Sequence, residues 1–234
     1  MSFTYQYPHL AVAVDAVVFG VDLADPSSPE LRVLLVERAD RPYRGMLALP
    51  GGFVGASEDL DDAVERVLRE ETGVGSRFYT EQLRAFGAPD RDPRERVVTV
   101  AYLALVNVAD CKLQAGSGAR GAGWYSARLS AELAFDHRSI LSAAIERLEA
   151  KVRYAPIGFD LLPEKFSLSD LQHLYEAILN RPLDKRNFRR RIGEMGILRP
   201  TGEMKATTGR NAQLFSFDKA AYDRAVERGF NFEV

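Results

Sequence analysis

Apolar and polar positions alternate along this chain in two blocks with different rhythms. In the first block, residues 10–19 form a valine-rich apolar run broken by Asp15, and residues 32–37 form a second such run. Both read as strands, joined as a hairpin across a loop at 22–30 that holds two prolines and two serines. Residues 78–87 and 96–106 are further extended runs, and Val97, Val98, Thr99, Val100, Ala101 and Tyr102 make the second too apolar for a sheet edge. Between the pairs lies a helical pattern. Leu60, Val64 and Leu68 form its core stripe, and Arg66, Val67, Glu70 and Glu71 share the neighbouring arc. Glu71 points into the same sector as Leu60 and Val64, an unusual place for a solvated carboxylate. Ser57 or Asp59 is placed to cap this helix, and Gly73 suits the left-handed residue past its end. Residues 114–123 read as a small-residue linker before Trp124-Tyr125. A helix over 137–152 carries Ile140, Leu141, Ala144, Ile145, Leu148 and Val152 on one face.

The rhythm changes at 154–163, where Pro156, Gly158 and Pro163 interrupt helix; this reads as an interdomain linker. Phe166-Ser167-Leu168 fits a short strand, and Ser169-Asp170-Leu171-Gln172 fits a capping box. Leu171, Leu174, Tyr175, Ile178 and Leu179 then form a helical stripe. Arg181-Pro182-Leu183 turns the chain, Asp184 caps a helix over residues 185–195, and Gly196 closes it. Two strands follow, around Ile197-Leu198-Arg199 and 213–217. Helix, turn, helix and hairpin is the order of a winged helix, with the helix over 137–152 a candidate third core helix. The domain division predicted is 1–153 and 154–234.

Composition sets the class. At 234 residues with 46% hydrophobic and 27% charged content, the chain has material for ordinary cores. A single cysteine, Cys111, excludes an internal disulfide, and no Cys/His cluster has zinc spacing. Nothing resembles a signal peptide or a membrane span, so the expectation is a cytoplasmic protein with no membrane partner. Net charge is only −2, yet residues 181–210 hold nine Lys/Arg against three Asp/Glu. That concentration on one helix and one hairpin is an electrostatic footprint for phosphates. Phe188, Ile192 and Met195 share the helix's inner face. Lys185, Arg186, Asn187, Arg189 and Arg190 are the candidates for the major groove, and Lys205, Thr207, Thr208 and Arg210 of the hairpin for the flanking backbone or minor groove.

The stretch from Gly52 to Val74 resembles the Nudix box, G-x5-E-x7-R-E-U-x-E-E-x-G-U, where U is a bulky aliphatic. Gly52, Glu58, Arg66, Leu68, Glu70, Glu71, Gly73 and Val74 match; Val67 stands where the family has glutamate. The resemblance implies an α/β/α sandwich over roughly residues 8–150, and a site where box glutamates hold divalent cations against a diphosphate. Val67 offers no oxygen, so a catalytic assignment is withheld: Glu70 and Glu71 are residual, weak metal ligands at most. No cofactor is expected to be required, with Mg²⁺ a requirement only of residual hydrolysis. The segment Phe86-Gly87-Ala88-Pro89-Asp90-Arg91-Asp92-Pro93-Arg94 resembles the ligand loop of the ADP-ribose-acting Nudix branch, and Arg38 matches a ligand-contacting position there. The expected ligand residues are Arg38, Gly51, Gly52, Phe53, Glu70, Glu71, Phe86, Asp90, Arg91, Asp92 and Arg94.

A degenerate Nudix domain followed by a winged helix resembles the Nudix-related transcriptional regulators of the NrtR type. That resemblance implies a homodimeric repressor of NAD-metabolism genes that binds double-stranded operator DNA. Its effector would be ADP-ribose or a related nucleotide, which releases it. The competing expectations are an active ADP-ribose pyrophosphatase with an accessory C-terminal domain and a non-enzymatic adaptor that uses the basic helix for protein contact.

Overall fold

The computed structural model describes residues 6–7, 9–23, 29–72, 79–108, 111, 113, 118–206 and 211–228, except the side chains of Glu71 and Thr72. The extended runs form β1 (Ala11–Asp22), β2 (Glu30–Arg38), β5 (Tyr79–Phe86) and β6 (Val97–Leu105). Three strands lie outside the expected set: β3 (Leu47–Ala48), β4 (Gly51–Phe53) and β7 (Ala119–Ser126). Seven strands make one sheet in the order β3-β2-β1-β6-β5, with β4 on β1 and β7 on β2. The apolar β6 is interior, as its composition predicts. Part of the presumed small-residue linker is the strand β7, which no alternation of large side chains announces.

The box helix is α1 (Leu60–Thr72), which packs on β4 and β7. Asp59 rather than Ser57 caps it, accepting a hydrogen bond from Asp61 N at 3.3 Å. Ala63, Val64, Val67 and Leu68 are buried, whereas Leu60 is only half-buried. α2 (His137–Lys151) follows the first core's last strand and buries Ile140, Leu141, Ala144 and Leu148.

The stretch read as a linker is folded. Pro156–Leu161 forms a 3-10 helix that opens on proline and buries Ile157, Gly158, Phe159 and Leu161. Phe159 stacks on Phe217 with ring centroids 4.4 Å apart and 13° between planes. Three apolar side chains within six residues therefore hold this segment in a core, and proline starts the turn instead of breaking it.

The C-terminal elements are β8 (Phe166–Ser167), α3 (Leu168–Leu179), α4 (Lys185–Met195), β9 (Leu198–Lys205), β10 (Ala212–Phe217) and α5 (Lys219–Glu227), with strand order β8-β10-β9. The capping box sits two residues earlier than expected: Ser167 is the cap and Asp170 completes the box. Glu176 pins the turn between α3 and α4, its Oε1 accepting from Leu183 N (2.9 Å) and Gln172 Nε2 (3.0 Å). Asp184 caps α4, and Gly196 ends it at φ 63°, where a Cβ would be strained. Phe188 and Ile192 are buried, and Met195 is half-buried.

Contacts divide the chain into two compact units, one of Met1–Val18, Val33–Ala104 and Cys111–Ala144, the other of Phe19–Arg32, Leu105–Asp110 and Ile145–Val234. The division falls inside β1, β2, β6 and α2. Among the described residues, no helix is long and apolar enough to cross a membrane.

Candidate ligand pocket and nucleic-acid interface

The first unit holds a cavity of about 180 Å³. Its floor follows from one strand pairing. Asp15 of β1 lies opposite Gly51 of β4 in antiparallel register. A Cβ on Gly51 would come within 2.2 Å of the Asp15 carboxylate, so glycine is what lets a buried acid sit on this strand. Arg91, 4% exposed, donates Nη2 to Asp15 (3.1 Å) and binds Asp136 through Nε (3.0 Å) and Nη2 (2.8 Å). His137 completes the group. Its Nδ1 accepts from Leu49 N at 2.9 Å, which assigns its proton to Nε2, facing Asp15 Oδ1 at 3.5 Å. Burial pushes the His137 pKa down, against the pull of Asp15, and keeps the ring neutral.

The cavity wall is aromatic and cationic. Phe135 stands at φ 55°, an uncommon conformation for a bulky residue. The Arg38 guanidinium lies 4.7 Å from its ring centroid and the Arg94 guanidinium 5.7 Å, while Arg94 also covers Phe53 at 5.5 Å. Asp92 holds Arg94 in place through two bonds of 3.0 and 2.7 Å, and Arg94 in turn keeps the Asp92 carboxyl below the usual carboxylate range. Arg38 Nε donates to Pro42 O at 2.9 Å, which ties the β2–β3 loop to the site.

Of the expected ligand residues, Arg38, Gly51, Gly52, Phe53, Arg91, Asp92 and Arg94 line this cavity. Arg91 does so with its Nε and Nη2 committed to two carboxylates, so it helps to frame the pocket. Phe86 and Asp90 do not line it: Phe86 is buried beneath the Arg84 guanidinium, 4.3 Å from its ring centroid, and Asp90 is exposed. Glu70 points elsewhere too, pairing with Arg66 at 3.3 Å on an exposed helix face. The Glu71 side chain lies outside the described residues. Asp15, Phe135 and His137 were missed. Asp15 did carry a signal, a lone acid inside an apolar strand.

The described part of the box keeps its scaffold around the defect. Arg66 grips Glu58 through Nε (2.6 Å) and Nη2 (2.9 Å) and donates to Phe53 O (3.0 Å). The Arg66 bond, with help from Gly55 N, holds Glu58 at a pKa of about 2. Val67 is 2% exposed, and its Cγ2 would lie 3.1 Å from a Cβ on Gly52. With Glu58 committed to Arg66 and Val67 apolar, Glu70 is the box carboxylate left among the described side chains. Magnesium demands near-octahedral oxygen coordination, which Glu70 alone among the described box side chains does not supply. Among the described residues, no group of three or more His, Cys, Asp or Glu side chains is placed to hold a metal.

In the second unit, α4 presents Lys185, Arg186, Asn187, Arg190 and Arg191 to solvent. Arg190 is braced, donating to Asn187 (2.8 Å) and pairing with Glu194 (3.2 Å). Arg186 has no partner among the described residues. Arg189 turns inward, half-buried, its Nη2 donating to Ser169 at 2.9 Å, and so belongs to the α3–α4 packing. Lys205, at the end of β9, pairs with the capping carboxylate Asp170 at 3.0 Å. Thr207, Thr208 and Arg210 lie outside the described residues. A Cβ on Gly193 would meet nothing, so the exposed face there is open to close approach.

Residues 10–143 match the NUDIX domain family, and residues 158–217 match the NrtR DNA-binding winged helix domain. Over 97% of its length the chain is 38% identical to the ADPR responsive transcriptional repressor NtrR of Acinetobacter baylyi, covering 87% of that protein. The chain belongs to the NrtR family. The crystal structure of Shewanella oneidensis NrtR complexed with a 27mer DNA superposes with a TM-score of 0.78 at 34% identity, over 94% of this chain and 97% of that one. The NUDIX domain of the same NrtR, complexed with ADP ribose, superposes with a TM-score of 0.53 at 37% identity, over 61% and 90% respectively. Membership of the NrtR family accounts for both halves of the chain, a Nudix domain and a winged helix.

Proposed function

We propose that this chain is an ADP-ribose-responsive transcriptional repressor. Residues 154–234 bind operator DNA and residues 1–153 hold the effector. It acts as a homodimer at operators of NAD-metabolism genes. The observation that carries this reading is the pairing of two features in one chain. One is a cavity walled by Phe135 with arginines on its ring, in a Nudix domain whose described carboxylates do not fit a catalytic magnesium site. The other is a helix, α4, that exposes Lys185, Arg186, Arg190 and Arg191 in a winged helix. The likeness to a repressor named for its ADPR response, and to a relative solved with DNA and with ADP ribose, supports the same reading.

The chemistry follows from the parts. An aromatic face with a guanidinium over it stacks a planar base. Buried acids offer acceptors for ribose hydroxyls. Cationic side chains on α4 meet DNA phosphates and base edges. No cofactor is needed for either task, and hydrolysis, if it occurs, would need Mg²⁺.

A fluorescence-anisotropy titration of the DNA upstream of its own gene neighbourhood, with and without ADP-ribose, tests this directly. Tight binding that ADP-ribose weakens supports it. Absence of sequence-selective binding, or an ADP-ribose turnover of about 1 s⁻¹ or more, sinks it in favour of a pyrophosphatase. Sedimentation velocity checks the dimer.

A further inference from the structure

The cavity described above is small, and most of its charges are paired. At about 180 Å³ it falls below the roughly 300 Å³ at which sites for drug-sized ligands begin, so a nucleotide must reach beyond it. Two of its three arginines are ion-paired, Arg91 with Asp15 and with Asp136 just outside the lining, and Arg94 with Asp92; His137 is neutral.

Next to it is a broad depression of about 710 Å³, lined by Arg41, Pro42, Tyr43, Arg44, Pro93 and Arg94. Arg94 lines both spaces, so they are contiguous. Here the balance is different. Arg41 and Arg44 are exposed and have no ion-pair partner among the described residues, and no carboxylate lines the depression. Between them Tyr43 presents a ring 37% exposed, packed edge-on against Phe135 with centroids 4.8 Å apart. Tyr43 is at φ 65° and Phe135 at φ 55°. Among the described residues, one other non-glycine residue has positive φ, the helix-ending Asn180. The two strained aromatic residues thus touch each other at the seam between cavity and depression, and strain of this kind collects at ligand clamps.

We infer that Arg41, Tyr43 and Arg44 form an outer anion subsite, which takes a phosphoryl group of a nucleotide whose ring lies in the inner cavity. The inference rests on the proposed nucleotide response. It adds that the β2–β3 loop takes part in recognising the phosphate. Guanidinium groups suit this task because they bind phosphate oxygens in forked pairs and keep their charge.

Calorimetric titration of full-length protein tests it, with ADP-ribose and with adenosine, which lacks phosphate. The Arg41→Gln/Arg44→Gln double variant is expected to lose about tenfold or more in ADP-ribose affinity at low salt and to show a weaker salt dependence. Adenosine affinity should stay within about twofold, and the Arg41→Lys/Arg44→Lys variant should regain part of the loss. ADP-ribose binding equally to wild type and double variant overturns the subsite and leaves the proposed function standing. Equal losses for both ligands overturn it as well, since the damage is then not specific to phosphate. So does a loss of operator affinity with ADP-ribose affinity intact, because the arginines would then serve DNA. Wild-type protein that binds no ADP-ribose removes the proposed function itself, and the subsite with it.

Discussion

Arg91 lies 4% exposed between Asp15 and Asp136, so removing it strands two carboxylates in a buried setting. Breaking such a pair costs about 3–5 kcal/mol. Arg91→Ala is therefore expected to lower the denaturant midpoint by that equivalent, a fold defect and not a selective loss of ligand response; an unchanged midpoint would remove the clamp role. His137 makes a second prediction. Its folded pKa lies below the ordinary 6.5, so under acid the unfolded chain takes the proton first. Stability from this group is complete above pH 6.5 and falls as pH drops toward the folded pKa, by up to about 1.4 kcal/mol per unit. His137→Asn, which keeps an acceptor for Leu49 N, should flatten the thermal midpoint between pH 7 and 5. Equal slopes in both proteins would refute this. Loop arginines and aspartates announced the site, but their division of labour did not show in the sequence. Which arginine is buried depends on Asp15, 76 positions away, and on Asp136, 45 positions away.

At the scale of elements, α1 carries the defect that separates this box from a complete one. Val67 packs over Gly52 at 2% exposure, and a glutamate there would put a carboxylate in an apolar seat. Val67→Glu should cost about 1–3 kcal/mol without metal. Added Mg²⁺ should raise its thermal midpoint more than that of wild type, by binding the folded state. No difference in metal response would mean that the box carboxylates cannot converge on a cation. On α4 the two roles of arginine separate. Arg186→Ala should weaken operator binding by about 1–3 kcal/mol where it reads a base edge. Arg189→Ala, which frees Ser169, should mainly lower the unfolding midpoint, by about 1–3 kcal/mol. The reverse pattern would exchange their assignments. The helices α1, α3 and α4 were legible because each buries one face, and β6 because its nearly unbroken apolar run is buried on both. β3, β4 and β7 were not, since two or three residues show no period and the first half of β7 is dominated by small residues, its pairing decided by β2. The 3-10 helix was misread because proline and glycine punctuate turns and linkers alike, and only the distant Phe217 tells them apart.

For the whole molecule, order from sequence was sufficient to name two modules, whereas the expected hinge between them is a packed segment in the core of the second unit. An effector response therefore cannot be argued from a loose tether at 154–163. It must be argued from free energy: a ligand shifts DNA affinity only as far as it binds the free and DNA-bound states differently. That condition is reciprocal. If ADP-ribose weakens operator binding by a given factor, operator DNA must weaken ADP-ribose binding by the same factor. A coupling of about 1–3 kcal/mol, roughly 5–150-fold, is the expected range. Two titrations measure it from opposite sides: operator affinity with and without saturating ADP-ribose, and ADP-ribose affinity with and without saturating operator. Equal factors above about fivefold are the expected outcome, with Phe135→Ala raising the ADP-ribose concentration needed for half-release by about tenfold through loss of the stacking face. Factors near one on both sides would leave two binding activities in one chain with no regulation between them. Unequal factors would show that a third component, such as a change in oligomeric state on DNA, is part of the equilibrium.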